Sequence, residues 1–290
     1  MIGAHLRGMA RLCHPSHDSF TAARLYIHVC TMKVAVTTIQ LSHRTSAMLR
    51  KVPEVTVSFW LIKLLTTAMG EVFSDFLVHR FDPILAVACG GIAFIAALVL
   101  QFLVRTYVAW IYWLLVATVA IFGTMAADVL HSGLGIPYLI STLFFAVALA
   151  AIFGIWYASE KTLSIHSIST TRRELFYWAT VITTFALGTA AGDLTATTMH
   201  LGYFASGVLF AVFIALAALA YWRFGLNEIL AFWSAYIVTR PLGASFADWA
   251  GRDQNAGGLG LGTGWVSLVL TILIVMAVGY LSVTNESIQR

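Results

Sequence analysis

Four aspartates, Asp75, Asp128, Asp193 and Asp248, recur at one position of a repeated pattern, and they are the side chains of this sequence best placed to hold a proton or a cation. Each stands fifteen residues after a tryptophan and five after a glycine: Trp60 and Gly70, Trp113 and Gly123, Trp178 and Gly188, Trp233 and Gly243. Only seven aspartates occur in 290 residues, so four coincidences at this spacing are not accidental. An aromatic residue precedes each tryptophan (Phe59, Tyr112, Tyr177, Phe232), and a small residue precedes each aspartate (Ser74, Ala127, Gly192, Ala247). Glu71 lies one helical turn before Asp75 and shares its face, where the other repeats carry Thr124, Thr189 and Ala244. Histidines follow three of the aspartates (His79, His131, His200), and Asp253 follows the fourth. Carboxylate with imidazole suits a divalent cation such as Mn²⁺ or Zn²⁺, whereas carboxylates alone suit a proton relay or a less selective cation path.

These residues must be carried by membrane helices. From Val55 onward, apolar segments recur over roughly 55–78, 84–104, 107–130, 137–158, 175–198, 203–222, 229–249 and 265–283. Their length matches the ~20 residues that a helix needs to cross a bilayer core. The runs are continuous rather than alternating, which excludes a barrel of strands. Every copy of the motif falls in an odd-numbered segment. At about 100° per residue, the glycine and the small residue four positions on share a face, while the aspartate points ~140° away from the glycine. One face of each odd helix is therefore expected to pack closely through a small-xxx-small step, and another to present the carboxylate. The aspartates should share one level, about 22 Å along the axis from the tryptophans, which are read as packing or interface anchors.

Seven ionisable residues fall inside these segments: Lys63, Glu71, Asp75, Asp128, Asp193, Arg240 and Asp248. Five acids face two bases, and each aspartate sits toward the C-terminal end of its helix, where the macrodipole disfavours an anion. Such carboxylates need a cation, a proton or a hydrogen-bond donor. Two readings follow. The aspartates handle a cation or proton, or they are structural, bonding to loops and neighbouring helices with Lys63 and Arg240 neutralising two acids. The histidines, at unequal distances from the aspartates, are expected to be interfacial.

Composition bounds the remaining classes. The chain is 60% hydrophobic and 10% charged, against about a quarter charged in soluble domains. Three scattered cysteines, Cys13, Cys30 and Cys89, support neither a disulfide framework nor a zinc site. The net charge of +4 arises in residues 1–53, which carry seven basic groups and one acid. Nothing there has the aromatic interleaving of a nucleic-acid surface. Residues 1–50 are expected to be a disordered polar extension or an over-called start, with Met32 or Met48 as alternative initiators. The glycine-rich run 255–264 lacks the Gly-Lys-Ser/Thr of a phosphate loop and is expected to be flexible. No hydrolase or protease motif occurs, so the reading is of a non-enzymatic protein without an evident cofactor, a divalent cation being the candidate ligand.

Lys and Arg cluster on one side of the spans: nine (Arg44, Arg50, Lys51, Arg105, Lys161, Arg172, Arg173, Arg223, Arg290) against Arg80 and Arg252 on the other. The positive-inside rule then places both termini in the cytoplasm. The sequence resembles a bacterial membrane family of unknown function built from four tandem repeats, each with two transmembrane segments and a marker tryptophan. The resemblance covers about residues 51–283, including Lys51-Val52-Pro53-Glu54 and Arg240-Pro241-Leu242-Gly243-Ala244-Ser245-Phe246-Ala247-Asp248-Trp249. It implies an integral protein of the inner membrane and brings no established activity.

The expected fold is an all-α bundle of eight transmembrane helices over 51–285, from four parallel two-helix repeats (about 54–105, 106–160, 172–224 and 228–284), with odd helices inside and even ones facing lipid. The leading function is a transporter or channel for a divalent metal or H⁺, using Asp75, Asp128, Asp193, Asp248 and Glu71. The alternatives are a membrane scaffold or sensor, with loop 159–174 docking a cytoplasmic partner or the chain forming a homo-oligomer, and an exporter of small apolar solutes.

Overall fold

A computed structural model describes residues 51–289, so the expectations about residues 1–50 fall outside it. Eight long helices follow one another: α1 (Val57–Arg80), α2 (Pro83–Leu103), α3 (Ala109–Asp128), α4 (Tyr138–Glu160), α5 (Thr171–Asp193), α6 (Tyr203–Phe224), α7 (Glu228–Gly251) and α8 (Thr263–Gln289). No strand occurs among the described residues. Local chemistry sets several starts. Thr56 and Thr170 accept from the amides of Phe59 and Arg173, Asp82 accepts from Leu85 beside Pro83 at the first turn, and Asn227 accepts from Ile229 and Leu230. Each satisfies backbone donors that a helix start leaves unpaired.

The odd helices form a closed ring in which α1 packs on α3, α3 on α5, α5 on α7, and α7 on α1. Each even helix packs chiefly on the odd helix of the following repeat: α2 on α3, α4 on α5, α6 on α7, and α8 back on α1. The repeats are thus interlocked in a cyclic exchange rather than standing as four self-contained hairpins. Even helices keep long apolar side chains outward, among them Ile84, Ile92, Val147, Leu216 and Val275.

Six of the eight helices are long and apolar enough to cross a membrane. The two that fall short, α1 and α7, carry Lys63, Glu71 and Asp75, and Glu228, Arg240 and Asp248. Lys63, Glu71, Arg240 and Asp248 are buried, so the polarity that lowers these two helices on an apolar scale faces the protein interior.

One end of the bundle holds the tryptophans and the other the aspartates. At the Trp end, Lys51 donates to Glu174 at 2.6 Å, Gln101 donates to the other Glu174 oxygen at 2.9 Å, and the Lys51 amide donates to the Ile168 carbonyl at 3.2 Å. This buried cluster ties the segment before α1 to the ends of α2 and α5. Loop 159–174, expected to dock a partner, is built into this end: Ile165 and Ile168 are buried, Leu163 accepts from Trp233 Nε1 at 2.9 Å, and Arg173 pairs with Glu160. At the Asp end, the glycine-rich loop expected to be flexible folds back on α7. Leu259, Gly260, Leu261 and Gly262 donate to the carbonyls of Trp249, Arg252, Ala250 and Gly251. Gly258 lies so close to the Arg252 carbonyl that a Cβ would meet it at 2.0 Å.

Loops 159–174 and 250–264 should be labelled from opposite faces of a membrane. Single cysteines at Lys161 and Asn255, on a background lacking Cys13, Cys30 and Cys89, test this with an impermeant maleimide. Labelling of both from one face would contradict the helix order.

Candidate functional site

The ring closes through its glycines. A Cβ on Gly70 would meet Ala120 at 2.4 Å, on Gly123 Phe185 at 2.8 Å, on Gly188 Arg240 at 2.2 Å, and on Gly243 Thr67 at 2.3 Å. Each partner stands three residues before the glycine of the next repeat, so one contact is repeated around a pseudo-fourfold axis. The expected close-packing face of the odd helices is therefore their contact with the next odd helix. The tryptophans repeat a second contact in the opposite sense. Trp113 lies 5.7 Å from Phe59, Trp178 5.5 Å from Tyr112, Trp233 6.3 Å from Tyr177, and Trp60 5.7 Å from Phe232.

Residues at intervals of four along each odd helix turn toward this axis and fill it in layers. At the Trp end lie Phe59, Tyr112, Tyr177 and Phe232, with the Tyr112 and Tyr177 hydroxyls hydrogen-bonded to each other. One turn further, Lys63 is buried with Nζ 3.4 Å from the Tyr236 ring centroid and 5.1 Å from that of Phe185. It has no hydrogen-bond partner among the described residues, so the aromatic faces are its compensation.

The next layer is a polar plug. Arg240 Nη2 donates to Glu71 Oε2 at 2.9 Å, to Thr189 Oγ1 at 3.0 Å and to Thr124 Oγ1, while Nη1 donates to the Thr67 carbonyl at 2.7 Å. Glu71, Thr124 and Thr189 occupy the same position of three repeats and converge from α1, α3 and α5 on one guanidinium of α7. Arg240 has 0% exposure, and its plug shuts the axis.

Beyond the plug, one turn on, stand the four aspartates. Arg252 bridges two of them, with Nη2 3.1 Å from Asp75 Oδ2 and Nε 3.1 Å from Asp248 Oδ1. Burial works against the charge on Arg252, but Asp248 and Asp75 outweigh it and hold the guanidinium above its usual range. Its side chain is one-third exposed, so this layer opens toward the Asp end. Asp128 and Asp193 have no basic group at ion-pair distance among the described residues. They lie within electrostatic reach of one another, of Glu71 and of Arg252. Backbone form separates the same two pairs. Immediately after Asp128 and Asp193 the chain makes π-helical turns, Val129–Gly133 and Leu194–Thr198, whereas α1 and α7 run on as α-helix past Asp75 and Asp248. Such turns recur at functional sites.

The histidines serve the backbone. His79 donates from Nδ1 to the Asp75 carbonyl at 2.7 Å, and His131 donates to the Ile136 carbonyl at 2.8 Å while stacking on Tyr138. His200 is exposed in a left-handed conformation at φ 56°. No group of three His, Cys, Asp or Glu side chains among the described residues is disposed to hold a metal ion. Sequence reasoning passed over Arg252, counting it only as an outer-side charge. Its spacing was a usable signal, because it follows Asp248 by four residues and so shares that face.

The architecture is that of a four-repeat helical bundle with acids and bases along its axis, of which Lys63, Glu71, Asp193, Arg240 and Asp248 are buried. Residues 58–107, 111–162, 176–226 and 231–287 each match the Repeat of Unknown Function (DUF347), and the chain belongs to that family. No curated protein and no solved structure matches it.

Proposed function

We propose that this protein is a proton-handling carrier of a bacterial inner membrane, with eight spans and both termini cytoplasmic, in which Asp128 and Asp193 take up a proton from the outer side. One observation carries the reading: of five acids along one axis, Glu71 pairs with Arg240, and Asp75 and Asp248 share Arg252, while Asp128 and Asp193 have no basic group at ion-pair distance among the described residues. A carboxylate withdrawn from water is neutralised by a partner or by a proton. A bound divalent cation is the weaker version, because the carboxylates do not gather as a ligand shell and the histidines are turned to backbone carbonyls. The filled axis favours a carrier that rearranges over an open channel, and no resident cofactor or enzymatic step is part of the proposal.

The scaffold reading draws on a different pair. Arg252 joins Asp75 of α1 to Asp248 of α7, where the ring closes, which is what a structural clasp would do. The two readings divide the aspartates. In proteoliposomes enclosing a pH-sensitive dye, Asp128→Asn with Asp193→Asn should cut proton flux at least tenfold while leaving the melting temperature near the parent's. Asp75→Asn with Asp248→Asn should instead lower the yield of folded protein. A parent without proton flux, or undiminished flux when Asp128→Asn and Asp193→Asn are combined, would refute the carrier.

A further inference from the structure

The fourfold pattern is broken at one place, and the break leaves a cavity. Trp113, Trp178 and Trp233 are 2%, 3% and 4% exposed, whereas Trp60 is only partly buried and lines a cavity of about 830 Å³ between α1, α6 and α7. The corresponding niche over Trp233 is filled. There Phe153 and Trp156 of α4 lie 5.0 and 5.9 Å from the Trp233 ring.

The two niches can be compared residue by residue, because α4 and α6 both begin ten residues after their aspartates, Asp128 and Asp193. An offset of 65 residues places Ala218 where α4 has Phe153, Ala217 where it has Ile152, and Tyr221 where it has Trp156. Ala217, Ala218 and Tyr221 all line the cavity. A second difference opens its end. The connection after α4 contains Leu163, whose carbonyl caps Trp233, while the connection from α6 to α7 is only Gly225, Leu226 and Asn227. Loss of one ring and shortening of one loop together unroof Trp60.

The walls indicate the occupant. The volume lies within the ~300–1,000 Å³ typical of small-molecule sites. Four aromatic side chains, Trp60, Tyr221, Trp222 and Phe232, line the space together with aliphatic residues and a few polar ones, Ser164, Asn227 and Thr239 among them. The ionisable lining residues are Glu228 and His166, with no Lys or Arg among them. A negative charge beside aromatic faces favours a positive head on an apolar body, through Coulomb attraction and ring quadrupoles alike. An anionic head would find neither Lys nor Arg, and His166 is the one basic side chain of the lining. We propose that the groove over Trp60 binds a lipophilic organic cation, an amine or onium compound with an apolar or aromatic body. The site lies on the flank of the ring, in the half of the bundle opposite the aspartates, and it stands independently of the proton-handling proposal.

Tetraphenylphosphonium is a suitable probe, with triphenylphosphine oxide as its uncharged counterpart and dodecyl sulfate as an anionic competitor. Binding is measured by equilibrium dialysis on protein in nanodiscs, with empty nanodiscs subtracted. The parent should bind tetraphenylphosphonium saturably. Ala218→Phe, which copies the residue filling the sister niche, should retain the parent's melting temperature and weaken binding at least tenfold. Glu228→Gln should weaken tetraphenylphosphonium several-fold while leaving the phosphine oxide unchanged, and this arm remains decisive if Ala218→Phe folds poorly. Asp128→Asn with Asp193→Asn should bind like the parent, which separates failure of this site from failure of the acid cluster. Non-saturable binding, binding indifferent to Glu228→Gln, or displacement by dodecyl sulfate as effective as by the cation would overturn the proposal, the last in favour of a lipid groove.

Discussion

Arg240→Met is expected to be among the most damaging single substitutions in this protein, costing about 3–5 kcal/mol, the range for stripping one partner from a buried ion pair. The guanidinium is fully buried and makes four hydrogen bonds to three other helices, so its loss leaves the Glu71 carboxylate on the axis without a counter-charge, held only by the hydroxyls of Thr124 and Thr189. The cost belongs mainly to the orphaned charge, which a second change exposes. Adding Glu71→Leu removes the stranded carboxylate and should recover most of the stability, because apolar groups of similar volume often replace a buried pair without loss. Denaturation of the purified single and double variants in detergent provides the comparison. A double variant as unstable as Arg240→Met would mean that the pair matters for its shape and not for its charge balance.

Gly188→Leu should abolish folded protein, and Gly188→Ala should already cost about 1–3 kcal/mol, the usual range for an overpacked interior. Even a methyl group would meet Arg240 Cγ at 2.2 Å, Arg240 Cβ at 2.6 Å and Pro241 Cδ at 3.0 Å. The neighbour is the base of the plug side chain and the ring of a proline within α7, neither of which can step aside without moving that helix. Gly154 and Gly279 provide the contrast, since a Cβ on either would meet nothing within 4 Å. Alanine there should be neutral or slightly stabilising, because glycine within a helix is disfavoured by roughly 0.5–1 kcal/mol relative to alanine. Yield and melting temperature of the three alanine variants test the ring directly. Equal behaviour at 188, 154 and 279 would show that α5 and α7 are not in the close contact described.

Much of this plan was legible because it depends on one helix at a time. The spacing from Gly70 to Ser74 and Asp75 defines a packing face and a separate carboxylate face whatever the neighbour is, and the other repeats show the same division. The cyclic exchange, with α8 packed on α1, was hidden because a helix's own periodicity says which residues share a face and not which helix will meet it. Convergence of Glu71, Thr124 and Thr189 on Arg240 was hidden for the same reason. The equal positions of these residues stood in the sequence, but a single arginine serving three repeats becomes visible only once the ring is closed. The run from Asn255 to Gly264 misled because glycine permits both flexibility and close approach. Here Gly258 passes against the backbone of Arg252, whose carbonyl accepts from Gly260. The histidines were read as interfacial from their unequal spacing, and His79 and His131 bond to backbone carbonyls rather than to an aspartate carboxylate.

The division of labour among the four aspartates is the central claim, and infrared difference spectroscopy on the purified protein tests it most directly. Spectra recorded as the pH is stepped report the gain and loss of carboxyl protons. Parent protein should show carboxyl bands of which one part is lost on Asp128→Asn and another on Asp193→Asn, with both parts absent from the double variant, at an unchanged melting temperature. If the double variant gives the parent's spectrum, Asp128 and Asp193 do not exchange protons, and the axis is a structural clasp and not a carrier site.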